Sequence, residues 1–222
     1  MAVDWPLQPR TDGLPLAADE LRLLWCPQAA SPPQARRARV DRVLRAALAP
    51  VVGRRPETLA FARESKGRPF LVGAGMPDFN LSDTDGGTLV AIVGQGRIGV
   101  DLERIDRSPP VLQLARRYFS EHEAAALARM DGETARRAFL WLWTAKEASC
   151  KSTGTGIFGW LPQWQFEAAS EQPALRAAPP EAGEAGRWRH WRIAPAPTHT
   201  AVIALHDGGV APRLAPYRLE LA

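Results

Sequence analysis

Apolar residues recur at helical spacing in one segment near the start of the chain. The repeating positions are Val40, Val43, Leu44 and Leu48, and the arginines among them fall mostly on the other faces. This pattern is typical of an amphipathic helix packed against a core. We therefore expect a helix over residues 34–48, ended by Pro50 and Gly53, because proline and glycine stop helices.

Two apolar runs in the middle of the chain have the composition of buried strands. Residues 88–93 are rich in β-branched side chains and predict one strand, and residues 97–102 predict a second. The turn Gly94-Gln95-Gly96 between them favours a hairpin. Shorter extended segments are expected at 59–64, 66–69 and 79–82, and residues 18–25 are expected to form a short strand or a helix.

The helical period returns between residues 111 and 151. Ser120 followed by Glu123 has the pattern of a capping box, which predicts the start of a helix that runs to about Met130. After Gly132, a long helix is expected from Glu133 to Lys151. Further strands are expected at 164–168, 188–193 and 201–205, and a loop is expected at 171–186.

A helix followed by strands occurs twice, over residues 34–102 and again over residues 133–205. We therefore expect an α+β fold made of two similar α/β subdomains in a pseudo-twofold arrangement. The predicted subdomains are residues 1–98 and residues 99–222, and the second carries the motifs described below. Two such halves can form a cleft at their junction within one chain, so we expect a monomer.

Composition limits the classes of function. The 222 residues are 45% hydrophobic and 23% charged, as in ordinary globular proteins. No apolar run approaches the roughly 20 residues of a membrane-spanning helix, and the N-terminus lacks the apolar core of a signal peptide, so we expect a soluble cytoplasmic protein without a membrane partner. Cys26 and Cys150 are too few for a disulfide framework. The net charge of +4 favours anionic partners in general.

Two acidic residues share one face of a predicted strand. Asp101 and Glu103 are two positions apart, and alternate side chains of a strand point to the same side. Close carboxylates repel each other unless a cation lies between them, and Mg²⁺ commonly takes one or two carboxylates together with substrate phosphates. The pair is therefore a possible magnesium site, although Asp-x-Glu is also common on the solvated edge of an ordinary strand.

The long predicted helix carries a stripe of residues spaced four apart, namely Phe139, Trp143, Glu147 and Lys151. The two aromatic residues are expected to anchor the stripe in the core, and Glu147 and Lys151 would then emerge at the rim of a cleft. Alternatively, Glu147 and Lys151 form only a surface ion pair, worth about 0.2–0.5 kcal/mol. Three carboxylates around one divalent cation, with a lysine beside them, are suited to chemistry on a polyphosphate.

The motifs together resemble those of a known family. Gly99-Val100-Asp101-Leu102-Glu103 and Trp143-Thr144-Ala145-Lys146-Glu147-Ala148-Ser149-Cys150-Lys151 look like the two signature motifs of the 4′-phosphopantetheinyl transferases. Upstream, Gly67-Arg68-Pro69 and Phe79-Asn80-Leu81-Ser82-Asp83 resemble segments of the surfactin-synthetase-type branch. Order and spacing match over roughly residues 35–160, and the C-terminal third matches only in outline.

The resemblance implies an activity and the residues that perform it. Members of the family transfer 4′-phosphopantetheine from coenzyme A to a serine of an acyl or peptidyl carrier protein, and 3′,5′-ADP is the other product. By resemblance, Asp101, Glu103 and Glu147 bind Mg²⁺ together with the coenzyme A pyrophosphate, and Lys151 contacts a phosphate. Either Glu147 or a water on the metal accepts the serine proton.

The resemblance also implies contacts at the other end of coenzyme A. Arg37 and Arg68 are expected near the 3′-phosphate and the adenine, and Ser82 is expected to donate a hydrogen bond to a phosphate oxygen. Arg37 is alternatively one solvated arginine of a basic helix. The family usually has histidine at position 83, where this chain has Asp83. A carboxylate there either points away, capping the turn at residues 85–87, or alters the binding of coenzyme A.

Two other functions stay open. One is a non-catalytic module of the same fold that binds coenzyme A or a carrier protein without turnover. The other is nucleic-acid binding through the arginine-rich helix. Because the sequence has no helix-turn-helix, zinc-finger or RNP-like pattern, we expect no nucleic-acid partner.

Overall fold

The computed structural model describes residues 15–28, 32–168, 170–206 and 212–221. Most of the N-terminal lead-in therefore lies outside the described residues. The elements in chain order are β1 (Glu20–Pro27), α1 (Pro33–Val52), β2 (Phe61–Arg63), β3 (Pro69–Leu71), β4 (Asp78–Thr84), β5 (Gly87–Val93), β6 (Arg97–Arg104), α2 (Val111–Tyr118), α3 (Glu121–Ala128), α4 (Gly132–Thr153), β7 (Gln165–Phe166), β8 (Leu175–Ala177), β9 (Trp188–Ile193), β10 (His199–His206) and β11 (Arg213–Arg218).

Most strands belong to two sheets. The first sheet has the order β11-β1-β5-β4, in which β11 runs parallel to β1 and the other neighbours are antiparallel. The second sheet has the order β6-β10-β9 and is antiparallel throughout. Within the described residues, β2 with β3 and β7 with β8 form two further, two-stranded sheets.

The two sheets pack face to face, and a long helix covers the outer face of each. Between the sheets, Leu23 of β1 belongs to the same buried cluster as Val100 of β6 and Ile203 of β10. Helix α1 packs on the outer face of the first sheet. Helix α4 packs on the outer face of the second sheet, where α2 and α3 lie against it. This layering of helices and sheets confirms the predicted α+β class.

The predicted hairpin of residues 88–93 and 97–102 is wrong, although both strands exist. β5 lies between β1 and β4, so both of its edges are already paired when the chain leaves it at Val93. The turn at residues 94–96 therefore carries the chain from the first sheet to the second, where β6 pairs with β10. A short turn predicts that two strands are neighbours, but it does not fix which edges hydrogen-bond.

Helix ends also differ from the prediction. Pro50 does not end α1, because the helix continues to Val52 and Pro50 lies in its last turn. Gly53 ends it with φ at +62°, a backbone conformation that favours glycine, and donates its N–H to the Ala49 carbonyl. The capping box at Ser120 is confirmed, since its hydroxyl accepts the Glu123 N–H and the Glu123 carboxylate accepts the Ser120 N–H.

The C-terminal third was predicted least completely. The strand expected at 164–168 is limited to Gln165–Phe166, and the loop expected at 171–186 contains β8. Strand β11 was not predicted at all. It returns to the edge of the first sheet beside β1, so the chain after residue 99 contributes to both sheets. The subdomain boundary between residues 98 and 99 stays a prediction. None of the helices in the described ranges is long and apolar enough to cross a membrane.

Candidate active site

Strand β6 is held beside the first sheet by polar side chains of β4 instead of a backbone ladder. The Asp78 carboxylate accepts the Ile98 N–H at 2.7 Å, and Asn80 Oδ1 accepts the Val100 N–H at 3.1 Å. Both acceptors lie on one face of β4, because alternate residues of a strand share a face. Asn80, from the segment that resembles the family, and Asp78, just before that segment, therefore bind the edge of the strand that carries Asp101 and Glu103.

Gly99 allows β6 to approach α4 closely enough to bring the two motifs together. A Cβ atom at this position would lie 2.0 Å from the Ala148 carbonyl oxygen and 2.5 Å from the Ser152 nitrogen. No side chain fits in that space. The neighbouring residues Asp101 and Glu103 lie on the same face of β6 as Gly99 and therefore point toward α4.

Asp101 is the centre of the site. It is 3% exposed, and its Oδ1 accepts hydrogen bonds from Lys151 Nζ at 2.6 Å and from Ser82 Oγ at 3.0 Å. Lys151 also donates to Ser82 Oγ at 3.1 Å, so the three side chains form a closed triangle. The other carboxylate oxygen, Oδ2, is buried and has no hydrogen-bond partner among the described residues.

Glu103 and Glu147 lie close enough to Asp101 for its negative charge to raise their pKa values. Burial raises the pKa of Glu103, and the ion pair with Arg107 offsets part of that effect. Burial also raises the pKa of Glu147 to about 7, and the negative charge of Asp101 acts in the same direction. Burial alone would lower the pKa of Lys151, but Asp101 and Glu147 together raise it. The structure thus brings Asp101 and Lys151 into direct contact, and Glu103 and Glu147 lie close enough to feel the charge of Asp101.

The carboxylates fit a hard divalent cation in their chemistry but are not preassembled around one. No group of three or more His, Cys, Asp or Glu side chains in the described ranges is arranged as a metal cluster. Instead, Lys151 neutralises Asp101, and Arg107 neutralises Glu103. The unpartnered Oδ2 of Asp101 still needs a positive partner, because a buried carboxylate oxygen without one is costly. A cation bound by carboxylate oxygens would also offset the charge of Asp101, which adds to the effect of burial on the pKa of Glu147.

Lys146 is next to Glu147 in the sequence, but its side chain lies on another side of α4 and is fully buried. Its Nζ donates to Glu123 Oε2 at 2.7 Å, to the Leu161 carbonyl at 3.0 Å and to the Trp164 carbonyl. The sequence motifs did not predict a role for this lysine. Lys146 does not share the four-residue spacing of Trp143, Glu147 and Lys151. That spacing could have predicted that Lys146 faces another side of α4.

A large cavity lies between α1 and the strands β2, β3 and β4. Its volume is about 910 Å³, and it is lined by charged residues of α1, including Arg36 and Arg37, and by apolar residues such as Leu44 and Phe61. Arg37 is exposed, and the structure gives its side chain no ion pair among the described residues. Apolar walls with cations at the rim suit a ligand that has both an aromatic part and phosphates.

A smaller cavity of about 230 Å³ adjoins the large one and leads to Lys151. Pro69 and Leu81 line both cavities, so the two meet at these residues. Arg68 lines the smaller cavity, but its guanidinium is buried and bound by Asp78, at 2.6 and 2.9 Å. It also donates to the Lys151 carbonyl at 2.9 Å, which ties the residue just before β3 to the end of α4.

Asp83 does not cap the turn at residues 85–87. Its side chain is 7% exposed and is ion-paired with Arg36 and with Arg39, at 3.3 Å to the latter. The hydroxyl of Thr88 donates to the same carboxylate. The departure from the family pattern therefore adds a negative charge beside the large cavity, and two arginines of α1 already compensate it.

Comparisons with known proteins agree with the motifs. A family model described as the 4′-phosphopantetheinyl transferase superfamily matches residues 97–205. The chain is 36% identical over 136 residues to a Synechocystis sp. protein described as a candidate 4′-phosphopantetheinyl transferase, covering 60% of this chain and 54% of that protein. It is 30% identical over 180 residues to the 4′-phosphopantetheinyl transferase HetI of Nostoc sp., covering 79% of this chain and 72% of that relative.

A third relative is the 4′-phosphopantetheinyl transferase Sfp of Bacillus subtilis, which is 29% identical over 99 residues, or 45% of this chain and 43% of that relative. The chain spans about half the length of the Synechocystis relative and less of Sfp, while it spans 72% of HetI.

Proposed function

Because the chain belongs to the 4′-phosphopantetheinyl transferase superfamily, as its motifs predicted, we propose that it transfers 4′-phosphopantetheine from coenzyme A to a serine of an acyl or peptidyl carrier protein. The serine oxygen forms a bond to the phosphorus that carries the pantetheine. The bond between that phosphorus and the bridging pyrophosphate oxygen breaks, and 3′,5′-ADP leaves. The proton of the serine goes to a base of the enzyme.

One observation carries this proposal. The carboxylate of Asp101 is buried, and its Oδ2 has no partner among the described residues. Its charge acts on Glu147 and Lys151, as it does on Glu103. Asp101, Glu103 and Glu147 would hold Mg²⁺, which neutralises charge on the phosphoryl oxygens when it is bound. Lys151 would stabilise negative charge on a phosphate. Ser82 donates its one hydroxyl proton to Asp101 and accepts from Lys151, so it would donate to a phosphate oxygen only by giving up its hydrogen bond to Asp101.

Glu147 is suited to accept the serine proton. Without a bound cation, burial and the charge of Asp101 raise its pKa to about 7, so the carboxylate can take up a proton near neutral pH; a bound cation would lower this pKa. A water on the metal is the alternative base, and the same carboxylate would then act as a ligand only.

The two adjoining cavities support the placement of coenzyme A. The large one offers Arg37 to a phosphate and apolar walls to the adenine, and the smaller one leads to Lys151 at the site of transfer. Arg68 is expected near the same phosphates. Because most of its donors are already bound by Asp78 and backbone carbonyls, it would act chiefly by fixing the turn that carries Lys151.

The decisive experiment is a mass-shift assay. The protein, coenzyme A and Mg²⁺ are incubated with apo carrier proteins of fatty acid, polyketide and nonribosomal peptide type, and we expect at least one carrier to gain the mass of phosphopantetheine. Asp101→Ala and Glu147→Ala should abolish the gain. Asp106→Ala, which removes an exposed acid of the neighbouring loop, should not.

Removal of divalent metal with a chelator should stop the reaction, and added Mg²⁺ should restore it. If coenzyme A binds but no carrier of any type gains mass, the chain is a non-catalytic binding module and the proposal fails.

A further inference from the structure

A second cationic cavity lies at the other end of α4, away from the cavities that reach Lys151. Its volume is about 240 Å³. Its lining consists of Ile105, Arg136, Arg137, Leu140, Arg192 and Thr200. Three of these residues are arginines, and none is acidic.

The positive charge of this cavity is only partly compensated. Arg136 and Arg137 share a single carboxylate, that of Glu133, at 2.8 and 2.7 Å. Arg192 is half-buried, and its guanidinium has no ion pair or hydrogen bond among the described residues. Burial lowers the pKa of Arg192, and the charge of Arg137 acts in the same direction. An anion in the cavity would offset both effects.

The walls of the cavity also offer apolar surface. Leu140 is buried at its base, and Ile105 is 42% exposed at its rim. Cations around an apolar base fit a carboxylate together with the methylene groups of its side chain, as in glutamate. A bare inorganic anion would use only the cations.

The position of the cavity relates it to the active site. Thr200 pairs with Glu103 across β10 and β6, so both lie on the face of the second sheet that α4 covers. Arg136 donates to the carbonyls of Ile105 and Arg107, and Arg107 binds Glu103. Arg136 lies about 16 Å along the helix axis from Glu147, at 1.5 Å per residue. The carboxylates therefore lie between this cavity and the cavities on the side of Lys151.

We propose that this cavity, the Arg192 cavity, receives an acidic side chain of the carrier protein while its serine is at the carboxylates. The proposal rests on the proposed function and names the docking surface of that reaction. The distance of about 16 Å from Glu147 along the helix axis suits a second contact from a folded protein domain. A ligand confined to the cavities near Lys151 would not reach it.

The test is charge reversal with separate kinetics for the two substrates. Arg192→Glu and Arg137→Glu should each raise the KM for an acidic carrier protein by about tenfold, because like charges repel across an interface. The KM for coenzyme A and the kcat at saturating carrier should change less than about twofold, since binding is lost without loss of transition-state contacts. The dependence of kcat/KM on NaCl should become shallower in both variants.

Arg55→Glu is the matched control, because Arg55 is an exposed arginine with a neighbouring acidic partner, in the loop after α1. It should leave the KM for the carrier unchanged. Arg137 is 73% exposed, so its reversal tests the proposal even if the half-buried Arg192 does not tolerate glutamate. Thermal unfolding of each variant verifies that the fold is kept.

Binding of apo carrier, measured by calorimetry without coenzyme A, separates this inference from the proposed function. Loss of carrier binding in Arg137→Glu supports the docking surface even if no carrier is modified. An unchanged KM and an unchanged affinity for carrier in both variants would overturn it. The same holds if inorganic phosphate alone binds at the cavity while carrier kinetics stay unaffected, because the cavity would then be a small-anion site.

Discussion

Replacement of Lys146 by methionine is expected to destabilise the fold severely, although the residue is adjacent to the proposed catalytic Glu147. The Lys146 and Glu123 side chains are both 0% exposed and lie 2.7 Å apart. The lysine uses all three of its N–H donors, and the carboxylate also accepts the Phe166 N–H at 2.9 Å. The pair thus joins α3, α4 and β7 in one buried network.

The magnitude follows from the partner that remains. Lys146→Met leaves the Glu123 carboxylate uncompensated in the core, and removal of one member of a buried ion pair typically costs about 3–5 kcal/mol. Glu123→Gln should destabilise for the same reason. For a chain of this size, about 2–4 °C of melting temperature is lost per kcal/mol, which predicts a decrease of roughly 6–20 °C for Lys146→Met.

The assay is urea unfolding followed by circular dichroism and by tryptophan fluorescence, since Trp164 is buried beside the pair. The double variant Lys146→Met/Glu123→Gln should cost less than the sum of the single variants by at least about 2 kcal/mol. Lys66→Met, at an exposed lysine, is the control and should cost less than about 0.5 kcal/mol. A loss below about 1 kcal/mol for Lys146→Met, or additive single effects, would refute the reasoning.

Three further predictions concern packing, acid stability and metal binding. Gly99→Ala should cost about 1–3 kcal/mol or more in urea unfolding, because the new Cβ meets the Ala148 carbonyl, whereas Gly132→Ala, with open space around it, should cost less than about 1 kcal/mol. Burial lowers the pKa of His190 from 6.5 to about 3, so the unfolded chain binds a proton at a higher pH than the folded chain does. The free energy of unfolding should therefore decrease as the pH falls from 6.5 toward 3, by at most about 2 kcal/mol at pH 5. His190→Gln should remove this pH dependence. Addition of Mg²⁺ should raise the melting temperature of the wild type and have a smaller effect on Asp101→Asn, and equal shifts in both would argue against this carboxylate as a ligand.

The sequence predicted the elements that carry the site because their signals are local. The stripe from Phe139 to Lys151 follows helical spacing, and the alternation of Asp101 and Glu103 follows strand spacing; both patterns place side chains on one face of one element. The ring stacking of Phe139 on Trp143 agrees with the aromatic anchor that was expected. Local spacing thus identified which side chains lie together within each element.

Contacts between distant segments could not be predicted in the same way. The opposite orientation of Lys146 depends on acceptors from α3 and from the segment after α4, and nothing near residue 146 specifies them. The compensation of Asp83 likewise depends on arginines about forty-five positions earlier in the chain. The pattern at residues 79–83 suggested a phosphate contact, but Asn80 of that segment accepts the Val100 N–H and so holds the edge of β6.

The location of the carboxylates follows from the way the two sheets meet. Strand β6 has β10 on one edge, and on its other edge the side chains of β4 occupy the N–H groups of Ile98 and Val100. A backbone ladder at that edge would continue one sheet into the other and would leave no polar side chains between them. Side-chain pairing instead leaves Ser82 beside Asp101, at the point where α4 brings Lys151. The proposed chemistry therefore requires both sheets, because one supplies Ser82 and the other supplies the carboxylate that it contacts.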